Sequence, residues 1–331
     1  MIILIFLITV WDYSYNLASE FTYDNNIFSY SSEYIDDFMN RVRPYRFPFE
    51  THDDLISSGT LRLFLRNKFF GKRTTTFDLG ITINHCLTNN QKDYLKLDFG
   101  LRQSFGKYAL KLSYRIIPNY LIRYYRNPQG QVNEYIGCKV NYQTILGKLS
   151  YNPDKDLLFE FIYGRGWDNY ISEFDIYDAN SHMLGIGLES KLRKRITLDF
   201  GYAFKILQND SSIISTTGTE PVPDGSYNQH SLNAGLVYQL KLVLPSKLFL
   251  AYNYDFRNFT TNSLVDSMHY GRCDHHHKIS VGTELQVFTG LFIEVFYLYQ
   301  WRNAISSILP DINSIKEYNK YRFNLGLNFY H

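Results

Sequence analysis

The chain has 331 residues, 29 of them Tyr and 25 Phe, and its 34 Lys and Arg nearly balance its 32 Asp and Glu. A net charge of +2, spread with alternating sign, makes no basic patch and excludes nucleic acid as a partner. Three scattered cysteines, Cys86, Cys138 and Cys273, supply no disulfide framework.

The first element is the apolar run Ile2–Val10. It is too short to cross a bilayer as a helix and reads as the core of a secretory signal. Small residues at Ala18-Ser19 offer a cleavage point, so residues 1–19 are assigned to a leader, although no Lys or Arg precedes the run. Residues 20–56 are irregular, and Arg41, Arg43, Pro44, Arg46 and Pro48 break any regular pattern. One strand is expected there, near 41–49.

From residue 57 the period is two. Leu61, Leu63 and Leu65 alternate with Arg62, Phe64 and Arg66. Phe77, Leu79 and Ile81 then alternate with Asp78, Gly80 and Thr82, and Leu95, Leu97 and Phe99 with Lys96, Asp98 and Gly100. Leu110, Leu112 and Tyr114 oppose Lys111, Ser113 and Arg115. This segment either runs on to Arg126 or turns at Pro118-Asn119, because proline cannot donate to a ladder. Ile136, Cys138, Val140 and Tyr142 read as an apolar face opposite Gly137, Lys139, Asn141 and Gln143, with Cys138 as a small hydrophobe. The clearest strand is Ile196–Lys205, with Ile196, Leu198, Phe200, Tyr202 and Phe204 on one parity and Thr197, Asp199, Gly201, Ala203 and Lys205 on the other. The pattern continues through Leu232–Leu240, Leu248–Phe256, Ile279–Val287, Ile293–Trp301 and Tyr321–Phe329.

Short reversals near 71, 105, 153, 193, 245 and 289 alternate with longer or more polar connections near 88, 128, 175, 217, 266 and 310. Glycines, including Gly80, Gly100, Gly137, Gly201, Gly235 and Gly326, fall on the polar parity, and the apolar parity is almost free of charge. Only a closed sheet satisfies its own backbone in lipid while keeping one face polar. The expected fold is all-β: a single transmembrane antiparallel β-barrel over residues 57–331. About fourteen strands are expected, within twelve to sixteen, with short periplasmic turns and longer extracellular loops.

At this point the chain resembles the bacterial outer-membrane β-barrel proteins as a class. The final strand carries Asn324, Gly326, Phe329 and His331, which is similar to the terminal signal read by the barrel-insertion machinery, with His331 where phenylalanine is usual. The resemblance implies integral residence in the outer membrane. It also implies contact with lipid and lipopolysaccharide, and handling by that machinery during assembly.

For function, the leading expectation is a porin-like channel for small hydrophilic solutes. Arg62, Arg66, Lys96, Asp98, Arg102, Lys111, Arg115, Arg123, Glu160, Asp199, Glu284, Glu294 and Arg322 fall on the polar parity and are the lumen-lining candidates. The early strands lean basic, which suits anions; mutual ion pairing is the competing reading. The first alternative is a non-conducting structural, adhesin or envelope-complex barrel that uses loops 208–226, 258–274 and 303–318. A hydrolase is a lesser alternative, since no Gly-x-Ser-x-Gly elbow is present. No cofactor motif occurs. His269, Cys273, His275 and His277 are weak metal candidates, because adjacent strand residues point to opposite faces. The aromatic groups Tyr252, Tyr254, Phe256 and Tyr297, Tyr299, Trp301 suit interfacial girdles. Inward Phe64 and Phe249 alone are too few for a sugar-binding track.

Overall fold

A computed structural model gives the architecture and describes residues 11–70, 73–127, 130–131, 133–210, 223–241 and 243–331. The strands are β1 (Asp12–Asp24), β2 (Asp54–Phe70), β3 (Arg73–Cys86), β4 (Tyr94–Phe105), β5 (Tyr108–Arg126), β6 (Tyr135–Tyr151) and β7 (Leu157–Tyr170). They continue as β8 (Ala179–Leu192), β9 (Ile196–Asn209), β10 (Tyr227–Lys241), β11 (Pro245–Phe259), β12 (Arg272–Phe288), β13 (Leu291–Ser306) and β14 (Tyr318–Tyr330). Each pairs antiparallel with its sequence neighbours, and β1 pairs with β14, so fourteen strands close into one barrel. Among the described residues no helix is long and apolar enough to cross a membrane.

Connections 106–107, 152–156, 193–195 and 289–290 lie on one rim. Connections 25–53, 87–93, 171–178, 260–271 and 307–317 lie on the other. The short-rim turn at Gly290 needs φ +83°, which glycine adopts without strain. Loop 208–226 lies largely outside the described residues, as do Ile2–Val10 and the turn at Gly71.

Two features depart from the sequence reading. The fourteenth strand is β1, not a strand near 41–49. That stretch holds one 3-10 turn, Pro44–Arg46, and Arg41 and Arg43 have φ of 55° and 51°, which no β-strand tolerates. Among the described residues the barrel begins at Asp12, and a leader reaching residue 19 would remove eight of the 13 residues of a wall strand. The alternation of β1 (Tyr13, Tyr15, Leu17 and Phe21 against Ser14, Asn16, Ala18 and Glu20) was hidden by the apolar run before it.

The second departure is the facing of β6. Lys148 lies opposite Lys111, and in step with it Tyr142, Val140 and Cys138 point inward, while Lys139, Asn141 and Gln143 point outward. Val140 and Cys138 are buried and Lys139 is exposed. Gly137 is consequently on the outer parity. This end of β6 has left the lipid zone, so its outer face meets water and its inner face is dry. Hydrophobicity reverses there without any change of register. Its neighbour β5 runs unbroken through Pro118, whose missing donor falls at a bulge between Ile117 and Tyr120.

Elsewhere the outer face is apolar and uncovered, as at Leu61, Phe99, Ile186, Phe200, Val281 and Leu325. Apolar surface on this scale needs lipid. Inward glycines make room for charge: a Cβ on Gly100 would overlap the Asp78 carboxylate, and one on Gly235 the Asp199 carboxylate.

The 25–53 connection is the largest non-strand feature. It carries helix α1 (Ser32–Met39), whose Ser31 side chain accepts from the Tyr34 amide as an N-cap. Ile27, Phe28, Tyr30 and Phe47 are buried with Leu121 of β5, and Phe38, Phe49 and Tyr124 pack onto them. Phe28 stacks on Phe49 at 4.3 Å between ring centroids. Burying four such side chains supplies the free energy that holds a long loop against the mouth.

Candidate functional site: the charged lumen and its mouth

Cross-strand register turns the scattered inward charges into two walls. On β2–β6, Arg66, Thr76, Arg102, Lys111 and Lys148 are successive ladder partners near the short-turn rim. Further along, Arg62, Gly80, Asp98 and Arg115 form the next such row. Asp98 accepts from Arg115 Nε at 2.6 Å and lies 3.9 Å from Arg62. Lys111 approaches Asp78 at 3.7 Å, and Lys148 pairs with Glu160 at 2.8 Å. Lys96 stands on the same face beside this group.

The wall that adjoins it, across the β1–β2 seam, is acidic. Glu284, Glu294, Gly326 and Glu20 are successive ladder partners across β12, β13, β14 and β1. Lys247 answers Glu284 at 2.6 Å, and Asn328 donates to Glu294 at 3.3 Å. Glu189 and Asp199 are ladder partners on β8 and β9. Several paired cations remain wet: the side chains of Arg62, Lys111, Arg115 and Lys247 are 40%, 42%, 53% and 49% exposed.

Toward the long-loop rim the interior becomes drier. Asp24 of β1 holds Lys320 at 2.9 Å and Arg322 at 2.8 Å. Arg123 donates from Nη2 to the Ser29 carbonyl at 3.1 Å, and its guanidinium lies over the Tyr30 ring. In the 87–93 connection Lys92 donates to the carbonyls of Leu121 (2.6 Å) and Ile122 (2.9 Å). Burial pushes the Lys92 ammonium down to about 7, and Lys320 and Arg123 push the same way. Inward tyrosines adjoin each other here: Tyr94 and Tyr120 at 5.1 Å, Tyr120 and Tyr142 at 5.9 Å. The sequence reading missed them because a Tyr on the inner parity looks like one on the outer parity unless the register is known.

The metal candidates do not converge. His275 and His277 point outward, where the hydroxyls of Tyr254 and Tyr252 hydrogen-bond their Nδ1 atoms at 2.8 and 2.9 Å. His277 stacks on Trp301 at 4.5 Å. His269 turns to Asp266, and the Cys273 thiol donates to Asn258. Among the described residues no three His, Cys, Asp or Glu are placed to share an ion. The terminal residues sit on the seam between first and last strands. Asn324 is buried and donates to Thr22 at 2.7 Å and to Glu20, Gly326 faces Glu20, and Phe329 points outward.

Comparison with solved structures bears on the architecture. The outer membrane channel DcaP of Acinetobacter baumannii superposes with a TM-score of 0.53 at 9% identity, covering 97% of this chain and 97% of that one. The outer-membrane-expressed OmpT of Vibrio cholerae does so with a TM-score of 0.51 at 8% identity, again over 97% of each chain. The chain has the fold of the bacterial outer-membrane β-barrel proteins. Together with the uncovered apolar belt, this outer-membrane barrel fold marks an integral protein of that membrane. No protein-family model matches the sequence, and comparison with curated proteins finds no match.

Proposed function

We propose that this outer-membrane barrel is a channel for small hydrophilic solutes. The observation that carries the reading is the exposure of ion-paired inward cations such as Arg115 and Lys247. In a dry interior so many charges would cost far more than their pairing returns. A wet lumen removes that cost and leaves a path. The adjoining basic and acidic walls would orient a dipolar or charged solute as it passes. Conductance in planar bilayers tests the reading, and a folded barrel that stays silent over a wide voltage range would overturn it.

The second reading is a non-conducting barrel. It is favoured by the 25–53 connection, whose Phe28, Tyr30 and Phe47 are buried against the mouth. In that case removing residues 27–49 would open a silent barrel. A channel would instead conduct before the deletion and conduct more after it.

A further inference from the structure

The mouth holds more positive charge than it neutralises. Asp274 of β12 is fully buried and is gripped by Arg272 through two bonds, at 2.7 and 2.6 Å. The same carboxylate lies 3.3 Å from Arg302 of β13. One carboxylate thus serves two guanidiniums. Arg123 of β5 and Lys316, at the end of the short helix α2 (Ile312–Lys316), bring further positive charge near Arg302, and the like charge holds the Lys316 ammonium down.

Other carboxylates nearby are engaged elsewhere. Glu317 accepts from Ser32 and Asn313, Asp24 holds Lys320 and Arg322, and Asp266 is bonded to His269. Lys316 makes no hydrogen bond or ion pair with any described residue. Burial and the three arginines Arg272, Arg123 and Arg302 hold its ammonium down to about 7, against a weaker upward pull from Asp274.

Three further polar atoms in this cluster are buried with no hydrogen-bond partner: Arg123 Nε, Arg302 Nε and His276 Nε2. A native interior rarely leaves such groups unpaired. His276 lies beside Tyr318, 6.2 Å between ring centroids. Five elements therefore bring unspent donors and surplus positive charge to one side of the mouth.

We infer that Arg123, Arg302 and Lys316, with His276 beside them, form a binding site for a doubly charged oxyanion at the long-loop mouth of the barrel. A dianion answers both deficits at once, because its oxygens accept from several donors and its charge offsets the surplus. The guanidiniums offer planar donor pairs, and Lys316, held down by its cationic neighbours, takes up a proton when a dianion offsets their charge and then supplies a point charge. The site deepens the channel reading by naming the solute class that would gather at its opening.

Inorganic phosphate titrated calorimetrically into the folded full-length protein in detergent, at pH 7.5 and constant ionic strength, tests the site. The expected result is saturable binding that an equal charge of chloride does not reproduce. Lys316→Met and Arg302→Met should each weaken it at least tenfold, and Arg195→Met, on the far rim, should not. Arg302→Met could disturb Asp274, whereas Lys316→Met removes a group with no bond to lose, so the second variant keeps the test decisive. Phosphate heat no larger than that of chloride, or unchanged affinity in Lys316→Met, overturns the site. Conductance without phosphate binding overturns the site alone; binding without conductance sustains it and overturns the channel.

Discussion

His331, the last residue, exchanges two backbone hydrogen bonds with Tyr15: its amide donates to the Tyr15 carbonyl at 3.0 Å, and the Tyr15 amide donates back at 3.1 Å. Their rings lie 5.0 Å apart. The seam that closes the barrel is thus made by residues near the two ends of the chain. An unclosed edge in lipid leaves a row of unsatisfied backbone groups. Deleting Phe329–His331, or Asp12–Ser19, should therefore abolish heat-modifiable gel mobility. Any leader removed in the cell should be cut upstream of Asp12, which N-terminal sequencing of the mature protein reads directly. A mature chain beginning at Ser19 that still folds would contradict the seam.

Lipid facing gives a paired test on one strand. Leu236 is on the outer parity of β10 and Gln239 on the inner parity, where it opposes Lys247. Arginine at a lipid-facing midplane position costs about 2–4 kcal/mol. Leu236→Arg should lose about that much in folding titrations into vesicles, and Gln239→Arg much less. Equal losses would show the facing to be wrong.

The strands were legible because lipid imposes one rule on every outer face, and Leu61, Phe200 or Leu325 cannot be polar without cost. The rule stops at the edge of the lipid. Lys139 and Gln143 lie beyond it on the outside, and Cys138 and Val140 are dry on the inside, so reading parity as facing inverted that half of β6. The mouth cluster was illegible for a different reason. Arg123, Arg302 and Lys316 are 14 to 193 positions apart, and only barrel closure and the fold of two connections bring them together. The two walls were partly legible: the basic lean of Arg62, Arg66, Arg102 and Arg115 is local in sequence, whereas the row Glu284, Glu294 and Glu20 needs β1 to pair with β14.

The 25–53 connection should act as the constriction. Phe28 is buried and contacts Tyr30, Phe49 and Tyr124. Replacing a buried Phe by Ala costs about 3–5 kcal/mol, and here the loss falls on the docked loop, not on the strands. Phe28→Ala should speed proteolysis within 32–47 and raise single-channel conductance, while heat-modifiable mobility stays normal. Unchanged conductance with faster cleavage would show that the loop does not limit the path.

Asp266 links the 260–271 connection to the residues before β10. It accepts from the Asp224 amide at 2.7 Å and from His269 at 2.9 Å. Burial raises its carboxyl, but the hydrogen bond and charge of His269 and the Asp224 amide outweigh this, so the net shift is downward. A carboxylate whose folded value lies below its unfolded value, about 3.9, stabilises fully above that value and loses the contribution as pH falls through the folded one. Protection of this loop from an acid-active protease should be flat above about pH 5 and decline below the unfolded value. Asp266→Asn should remove the acid-dependent part. A wild-type profile that does not change between pH 5 and 2 would rule the linkage out.

Ion selectivity should be set by the imbalance between the two walls. The basic wall carries Arg62, Arg66, Arg102 and Arg115, with Arg123 above them, and Asp78 and Asp98 interrupt it. The acidic wall carries Glu20, Glu284 and Glu294, with Lys247 partly offsetting Glu284. Exposed charges near a constriction act over about 8 Å at physiological salt, so each wall should be felt by a passing ion and weakened by added salt. The expected reversal potential under a salt gradient shows a mild preference for anions. Arg62→Gln with Arg115→Gln should move it toward cations, and Glu284→Gln with Glu294→Gln should move it further toward anions. Both shifts should shrink at 1 M salt, where the screening length is about 3 Å. A wild-type preference for cations would retain the pore and assign control to the acidic row. Reversal potentials that ignore all four substitutions would place the ion path away from both walls.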